Sequence, residues 1–76
     1  MEYDPLRLFG MRVITLRKRH GWSQEKLALE CGLARSYIGG IERGKRNIAL
    51  VNICLLADTL GVEPKEMLDF FTDLNA

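Results

Sequence analysis

Apolar positions recur every three or four residues along almost the whole chain and nowhere alternate. Leu6, Phe9, Val13 and Leu16 share one helical face, opened by Pro5, which suits a first turn, and stopped at Gly21. Arg17, Lys18, Arg19 and His20 fall in the last turn, where cations meet the negative end of the helix dipole. Ser23 is a good N-cap for a second helix, with Glu25 in its first turn and Gly32 as its stop after Cys31. A third helix is expected over about 34–43, closed by Gly44, and a fourth over about 50–60, closed by Gly61. A fifth should start at Pro64 and run towards Leu74. There is no sustained alternation of β-branched residues and no Asn-Gly or Asp-Gly hairpin turn. The pattern predicts an all-α, compact five-helix domain.

Residues 24–43 carry the most information. Two short helices meet at Gly32, with apolar Leu27, Ala28, Cys31, Leu33, Ile38 and Ile41. Ala28 must be small where the second helix crosses the first, and Gly32 can take the left-handed conformation that turns the chain sharply. Ile38 and Ile41 would pin the second helix of the pair to the core. This is the helix-turn-helix pattern, spanning about 23–43, in which the second helix enters the major groove of DNA.

Length and charge narrow the reading. Seventy-six residues, 47% of them hydrophobic and 28% charged, suffice for a single core, so residues 1–76 are expected to form one domain. No apolar run approaches the ~18 residues of a membrane span. The acidic start, Met1-Glu2-Tyr3-Asp4, lacks the order of a signal peptide, which predicts a cytoplasmic protein. Cys31 and Cys54 show no metal-binding spacing and are expected to be reduced core residues. Residues 5–46 hold ten Lys and Arg against three Glu, a balance of +7, whereas residues 47–76 hold Lys65 against five acids, a balance of −4. Such polarity suits an anionic partner at one end of the molecule. His20 is the only histidine, and no motif sets a nucleophile, a phosphate-binding loop or a metal pair beside it. No enzyme activity, metal or cofactor is expected.

The runs Leu16-Arg17, Gly21 to Ala28, Gly32-Leu33, Ser36-Tyr37-Ile38 and Ile41 to Asn47, followed by Leu56-Ala57 and Leu60-Gly61-Val62, resemble the Cro/C1-type (XRE) helix-turn-helix regulators. Within that family, Arg35 to Ile38 and Ile41 to Ile48 are most similar to the controller proteins of bacterial restriction–modification systems. The resemblance implies a lambda-repressor-like domain that binds palindromic double-stranded operator DNA as a homodimer, in the bacterial cytoplasm at the nucleoid. For controllers it implies activation of the controller and endonuclease genes, with a contact to RNA polymerase, and repression at high concentration. It also implies an internal ion pair between Arg17 and Glu42. Ala34 and Ala49 depart from the family where Ser or Thr is frequent, and Gly39-Gly40 replace longer side chains. An antitoxin or phage-type repressor of the same fold, or a protein-interaction module, are the alternatives.

On a wheel of 100° per residue, Ala34, Ile38 and Ile41 cluster on one side of the third helix. Ser36, Gly39, Gly40 and Arg43 cluster on the other, flanked by Arg35. The two glycines cost helix stability. They reflect either drift on an exposed face or close approach of the backbone to a duplex, and the second is favoured because DNA should lie there. Arg35 could make a bidentate contact to guanine, and Ser36 a bond to a base edge or phosphate. Tyr37 could stack on a sugar or a thymine methyl, or simply pack. Arg43, Lys45, Arg46 and Asn47 lie at and beyond the helix end, suited to phosphates or a groove edge, with solvated charge the alternative for Lys45. Ser23 and Gln24 sit at the N-terminus of the second helix, where free N–H groups can meet a phosphate or be capped.

In the fourth helix Leu50, Ile53, Cys54, Ala57 and Leu60 make one apolar stripe for the core, which leaves Val51 and Leu55 outside it. The fifth adds Met67, Leu68, Phe70, Phe71 and Leu74. Surplus apolar surface marks an interface, so Val51, Leu55, Met67, Phe70 and Phe71 are expected in a dimer contact formed by residues 50–74.

Overall fold

A computed structural model describes residues 1–71; residues 72–76, including Leu74, lie outside the described part. Five helices follow in order: α1 (Pro5–Arg19), α2 (Gln24–Cys31), α3 (Arg35–Glu42), α4 (Leu50–Leu60) and α5 (Pro64–Met67). There is no strand among the described residues. Their ends follow from local chemistry. Asp4 caps α1, its carboxylate accepting from the backbone N–H groups of Leu6 and Arg7 at 3.0 and 3.3 Å. Ser23 caps α2 through Lys26 at 3.0 Å. Ala34 and Ala49, which carry no side-chain acceptor, make no such bond at the starts of α3 and α4. Gly32 turns the chain out of α2 at φ +75°, a conformation that any side chain would strain.

The core gathers around α3. Leu27, Ile38, Ile41, Leu56, Met67 and Val13 are its fully buried large side chains, with Phe9, Leu16, Ala28, Cys31, Ala57 and Leu60 beside them. Each buried aliphatic side chain of this size contributes about 1.5–3 kcal/mol. α1 and α3 cross in close contact at Gly10. An ideal Cβ at Gly10 would lie 2.8 Å from the Glu42 carbonyl oxygen and nearer still to that of Ile41. At the far end of α1, His20 donates from Nε2 to the Leu60 carbonyl at 2.7 Å and lies against Trp22, with ring centroids 4.3 Å apart. This bond ties the C-terminal turn of α1 to that of α4.

Several expectations are corrected. Met67 belongs to the core, not to an outer face: it is fully buried between α5 and the rest of the domain. The inward stripe of α4 is Leu56, Ala57 and Leu60 with half-buried Ile53, while Leu50 is 72% exposed and Cys54 is exposed. Cys31 alone of the two thiols is buried. The fifth helix stops after one turn at Met67, and helical backbone resumes only at Phe70 and Phe71. The break shows in the backbone bonds: the Leu68 and Asp69 N–H groups reach back only three residues, to the Lys65 and Glu66 carbonyls at 3.1 and 3.4 Å, and the Phe70 N–H turns to the Leu68 carbonyl at 2.9 Å. Buried Arg12 donates from Nε to the Glu66 carbonyl at 2.6 Å. Arg12 thereby fastens the C-terminal segment to α1.

Candidate nucleic-acid interface

The helix-turn-helix is α2, the Gly32 turn and α3. Its orientation is fixed by a charged cluster that faces inward. Arg17 of α1 grips Glu42 at the end of α3 with two bonds, Nε to Oε2 at 2.7 Å and Nη2 to Oε1 at 3.0 Å. The side chains are 12% and 3% exposed. Arg17 Nη1 also donates to the Trp22 carbonyl at 2.8 Å. Hydrogen bonding to Glu42 holds the Arg17 pKa above its ordinary value against the opposing effect of burial. The Gln24 amide donates to Glu42 Oε1 at 2.8 Å, so the carboxylate joins α1, α2 and α3. Gln24, expected at a phosphate, spends its amide on this network.

Removal of that carboxylate leaves Arg17 largely desolvated and the Gln24 amide without its acceptor. Glu42→Ala is therefore expected to lower stability by about 3 kcal/mol, the low end for breaking a buried pair because Arg17 keeps some solvent and the Trp22 carbonyl. Chemical denaturation checks this; a midpoint within error of wild type would show that the pair contributes no more than a surface one.

Opposite the cluster, Arg35, Ser36, Arg43, Lys45, Arg46 and Asn47 are all exposed on α3 and the loop after it. Glu25 is the acid that neighbours them. It takes the Arg35 Nε at 3.0 Å in an exposed pair. Its own backbone N–H, then Arg35, hold the Glu25 pKa below the ordinary glutamate value. The carboxylate therefore stays charged at neutral pH, and the tether on Arg35 is lost only as pH falls through that lowered value. Tyr37 is half-buried against the core, its hydroxyl accepting from Asn52 Nδ2 at 3.3 Å. The Arg46 guanidinium carbon lies 5.5 Å from the centre of the Tyr37 ring, a cation–π contact.

The centre of this face is not bare. Gly39 and Gly40 are buried under neighbouring side chains. A Cβ at Gly39 would lie 3.1 Å from Arg43 Nη1 and 3.6 Å from Gln24 Oε1, and one at Gly40 would lie 3.0 Å from Arg46 Cγ. The wheel placed these residues on the outward face, where they are in fact buried, because it could not show that arginines beyond them fold back. Ala34, grouped with the core side on the wheel, is exposed at the N-cap. The sequence reading missed Arg12, Asn52 and Gly10. Arg12 was visible as a cation amid the apolar positions of α1, and Gly10 as a lone glycine within a helix, both local inconsistencies that call for a tertiary cause.

A recognition helix held at a fixed angle by an inward ion pair, followed by a basic loop and with a second helix packed across its start, defines a helix-turn-helix DNA-binding domain. The comparisons agree. The helix-turn-helix family model matches residues 13–67. Control protein C.BamHI of Bacillus amyloliquefaciens is 53% identical over 66 residues, covering 86% of this chain and 82% of that protein. The crystal structure of the restriction–modification controller protein C.AhdI from Aeromonas hydrophila superposes with a TM-score of 0.82 at 54% identity, over 86% of this chain and 98% of that one. The controller C.Esp1396I, crystallised as a tetramer with its natural 35 base-pair operator, gives a TM-score of 0.81 at 28% identity, over 93% of each chain. The chain belongs to the Cro/C1-type (XRE) helix-turn-helix regulators and is similar to restriction–modification controllers over most of its length.

Proposed function

We propose that this chain is a controller of restriction–modification genes that binds a palindromic operator as a homodimer, with α3 in the major groove. The observation that carries the reading is the exposed basic surface formed by Arg35 at the start of α3 and by Arg43, Lys45 and Arg46 at and beyond its end, on a recognition helix that Arg17 and Glu42 orient from behind. The operator complex of C.Esp1396I supports DNA as the partner. Arg35 and Ser36 read base edges, Tyr37 and Asn47 line the groove, and Arg43, Lys45 and Arg46 meet phosphates or the groove edge. Ser23 and the first turn of α2 hold a backbone phosphate. Activation at low concentration then calls for a contact with RNA polymerase, and such a regulator works at the nucleoid.

The dimer uses the apolar surface that the core leaves over. Val51 is 79% exposed, with Leu50 and Cys54 exposed beside it on α4. Leu68 and Phe71 add exposed apolar area, and Tyr3 stacks edge-on against Phe70 and Phe71 with centroids 6.4 and 5.5 Å apart. Leu55, half-buried against the core, adds only its outer edge. A two-fold axis through this surface presents two recognition helices about 34 Å apart, one turn of B-DNA.

Selection from a pool of randomised duplexes tests the reading. The wild-type protein should enrich a two-fold symmetric sequence with half-sites about one helical turn apart; enrichment of a lone half-site, or of nothing, refutes it. Val51→Glu should give a folded monomer by sedimentation, with thermal stability near that of wild type and much weaker binding to the enriched duplex. A dimer that persists in this variant would remove α4 from the interface.

A further inference from the structure

We propose that Gly39 and Gly40 are positioning residues: they form a seat on which Arg43 and Arg46 lie folded across the recognition helix before DNA arrives. The inference rests on the DNA-binding reading for its function, but the seat itself is a property of the free protein. It differs from the idea that the glycines admit the duplex backbone, because it puts protein side chains where that idea puts DNA.

The geometry of the two glycines argues for it. At Gly40 the three heavy atoms nearest an ideal Cβ all belong to Arg46: Cγ at 3.0 Å, Nε at 3.2 Å and Cδ at 3.6 Å. At Gly39 they are Arg43 Nη1 and Gln24 Oε1. The nearest atoms at both positions are side-chain atoms, chiefly of the two arginines, so it is the arginines that the missing side chains make room for. Arg46 follows α3 by four residues, yet its stem returns to lie on Gly40 and its guanidinium reaches the Tyr37 ring. Tyr37 is itself held by Asn52 of α4. Gly40, Tyr37 and Asn52 thus build a floor and a wall for one flexible cation. Arg43 runs back over Gly39 towards Gln24, which the Glu42 carboxylate fixes.

The functional consequence is preorganisation. An arginine that is free in solution loses rotamer freedom when it contacts a phosphate or a base, and that loss weakens binding. An arginine already laid along the helix has lost most of it on folding. The two glycines also weaken the helix in isolation, a local cost that makes sense where a neighbouring side chain takes the space. A methyl group at position 40 would displace Arg46 by a few tenths of an ångström or turn it off the Tyr37 ring, while improving helix propensity.

The test is a double-mutant cycle on the full chain, together with NMR of the free protein. In wild type the Arg46 side-chain protons should carry ring-current shifts from Tyr37. Gly40→Ala should change these shifts measurably while the melting temperature stays equal or rises. On a duplex that the wild-type protein enriches from a randomised pool, G40A should weaken binding about three- to tenfold per half-site. In the R46A background at low salt, G40A should have no further effect. Arg46 shifts unchanged in G40A would overturn the seat. An equal G40A loss in both backgrounds would also overturn it, and would assign the glycines to close contact with DNA. Failure of the wild-type protein to enrich any sequence would refute the DNA reading instead, with the NMR measurement still deciding the seat.

Discussion

Gly10→Ala is expected to cost about 3 kcal/mol or more, the upper range for overpacking, because the added methyl meets backbone and not side chain. The Cβ would run into the carbonyl oxygens of Ile41 and Glu42, in the last turn of α3. Side chains can rotate away from a clash, but these carbonyls belong to a helix held by Arg17 and Gln24 through Glu42 and by Ile38 and Ile41 in the core. Relief therefore requires α1 and α3 to separate. A domain of this length has about 4–11 kcal/mol of stability in total, so the substitution removes a large share of it. The melting temperature should fall by more than about 10 °C, given about 4–8 °C per kcal/mol for small domains. Gly40→Ala is the control. It too adds a methyl to a buried helical glycine, but the three atoms nearest its Cβ all belong to the Arg46 side chain, which can shift. Circular dichroism melts of the two variants should differ sharply in sign or size. Equal, small shifts would mean that the α1–α3 crossing yields easily and does not fix the recognition helix.

What could be read from the sequence, and what could not, divides along the same physical line. The bounds of α1 to α4 followed from local signals, namely Pro5, Ser23 and the glycines that end helices, because capping and propensity act over a few residues. The helix-turn-helix was legible because its steric demands at Ala28, Gly32, Ile38 and Ile41 leave few alternatives. The inward face of α4 was not. Its residues are apolar nearly all the way round, so Leu50, Ile53, Cys54, Ala57, Leu60 and Ile53, Leu56, Ala57, Leu60 both satisfy helical spacing. Only the packing of α5 and α2 against it selects the second set. Met67 was misplaced for a related reason: α5 is a single turn, and the Arg12 bond that fastens it to α1 joins residues 54 apart in sequence, so Arg12 signals a tertiary partner without naming it. The binding face shows the same split. The identities of Arg35, Arg43 and Arg46 were plain, but that Arg46 folds back over Gly40 depends on Tyr37 and Asn52, which tertiary structure brings together.

Arg35→Ala should lower affinity for the enriched operator by about 1–3 kcal/mol per half-site, and so by about twice that for a dimer, while relaxing preference at one base pair in each half. The position supports a base-reading role. Arg35 opens α3, and residues at the start of a recognition helix reach base edges. It is exposed, and its partner Glu25 is exposed too, so on meeting DNA the guanidinium exchanges one charged acceptor for another without first leaving a buried site. The Glu25 tether also limits where the guanidinium can point, which suits a contact that depends on angle. Lys45→Ala provides the contrast. Lys45 lies beyond the helix end as an exposed flexible charge, and its loss should weaken all duplexes alike and flatten the dependence of affinity on salt. Each variant is measured against the enriched and a scrambled duplex across a salt series. The signature of Arg35 is a loss confined mainly to the enriched duplex, with the salt slope little changed. If Arg35→Ala instead lowered both affinities equally and flattened the slope, its contact would be to phosphate, and base reading would pass to Ser36, Tyr37 or Arg43.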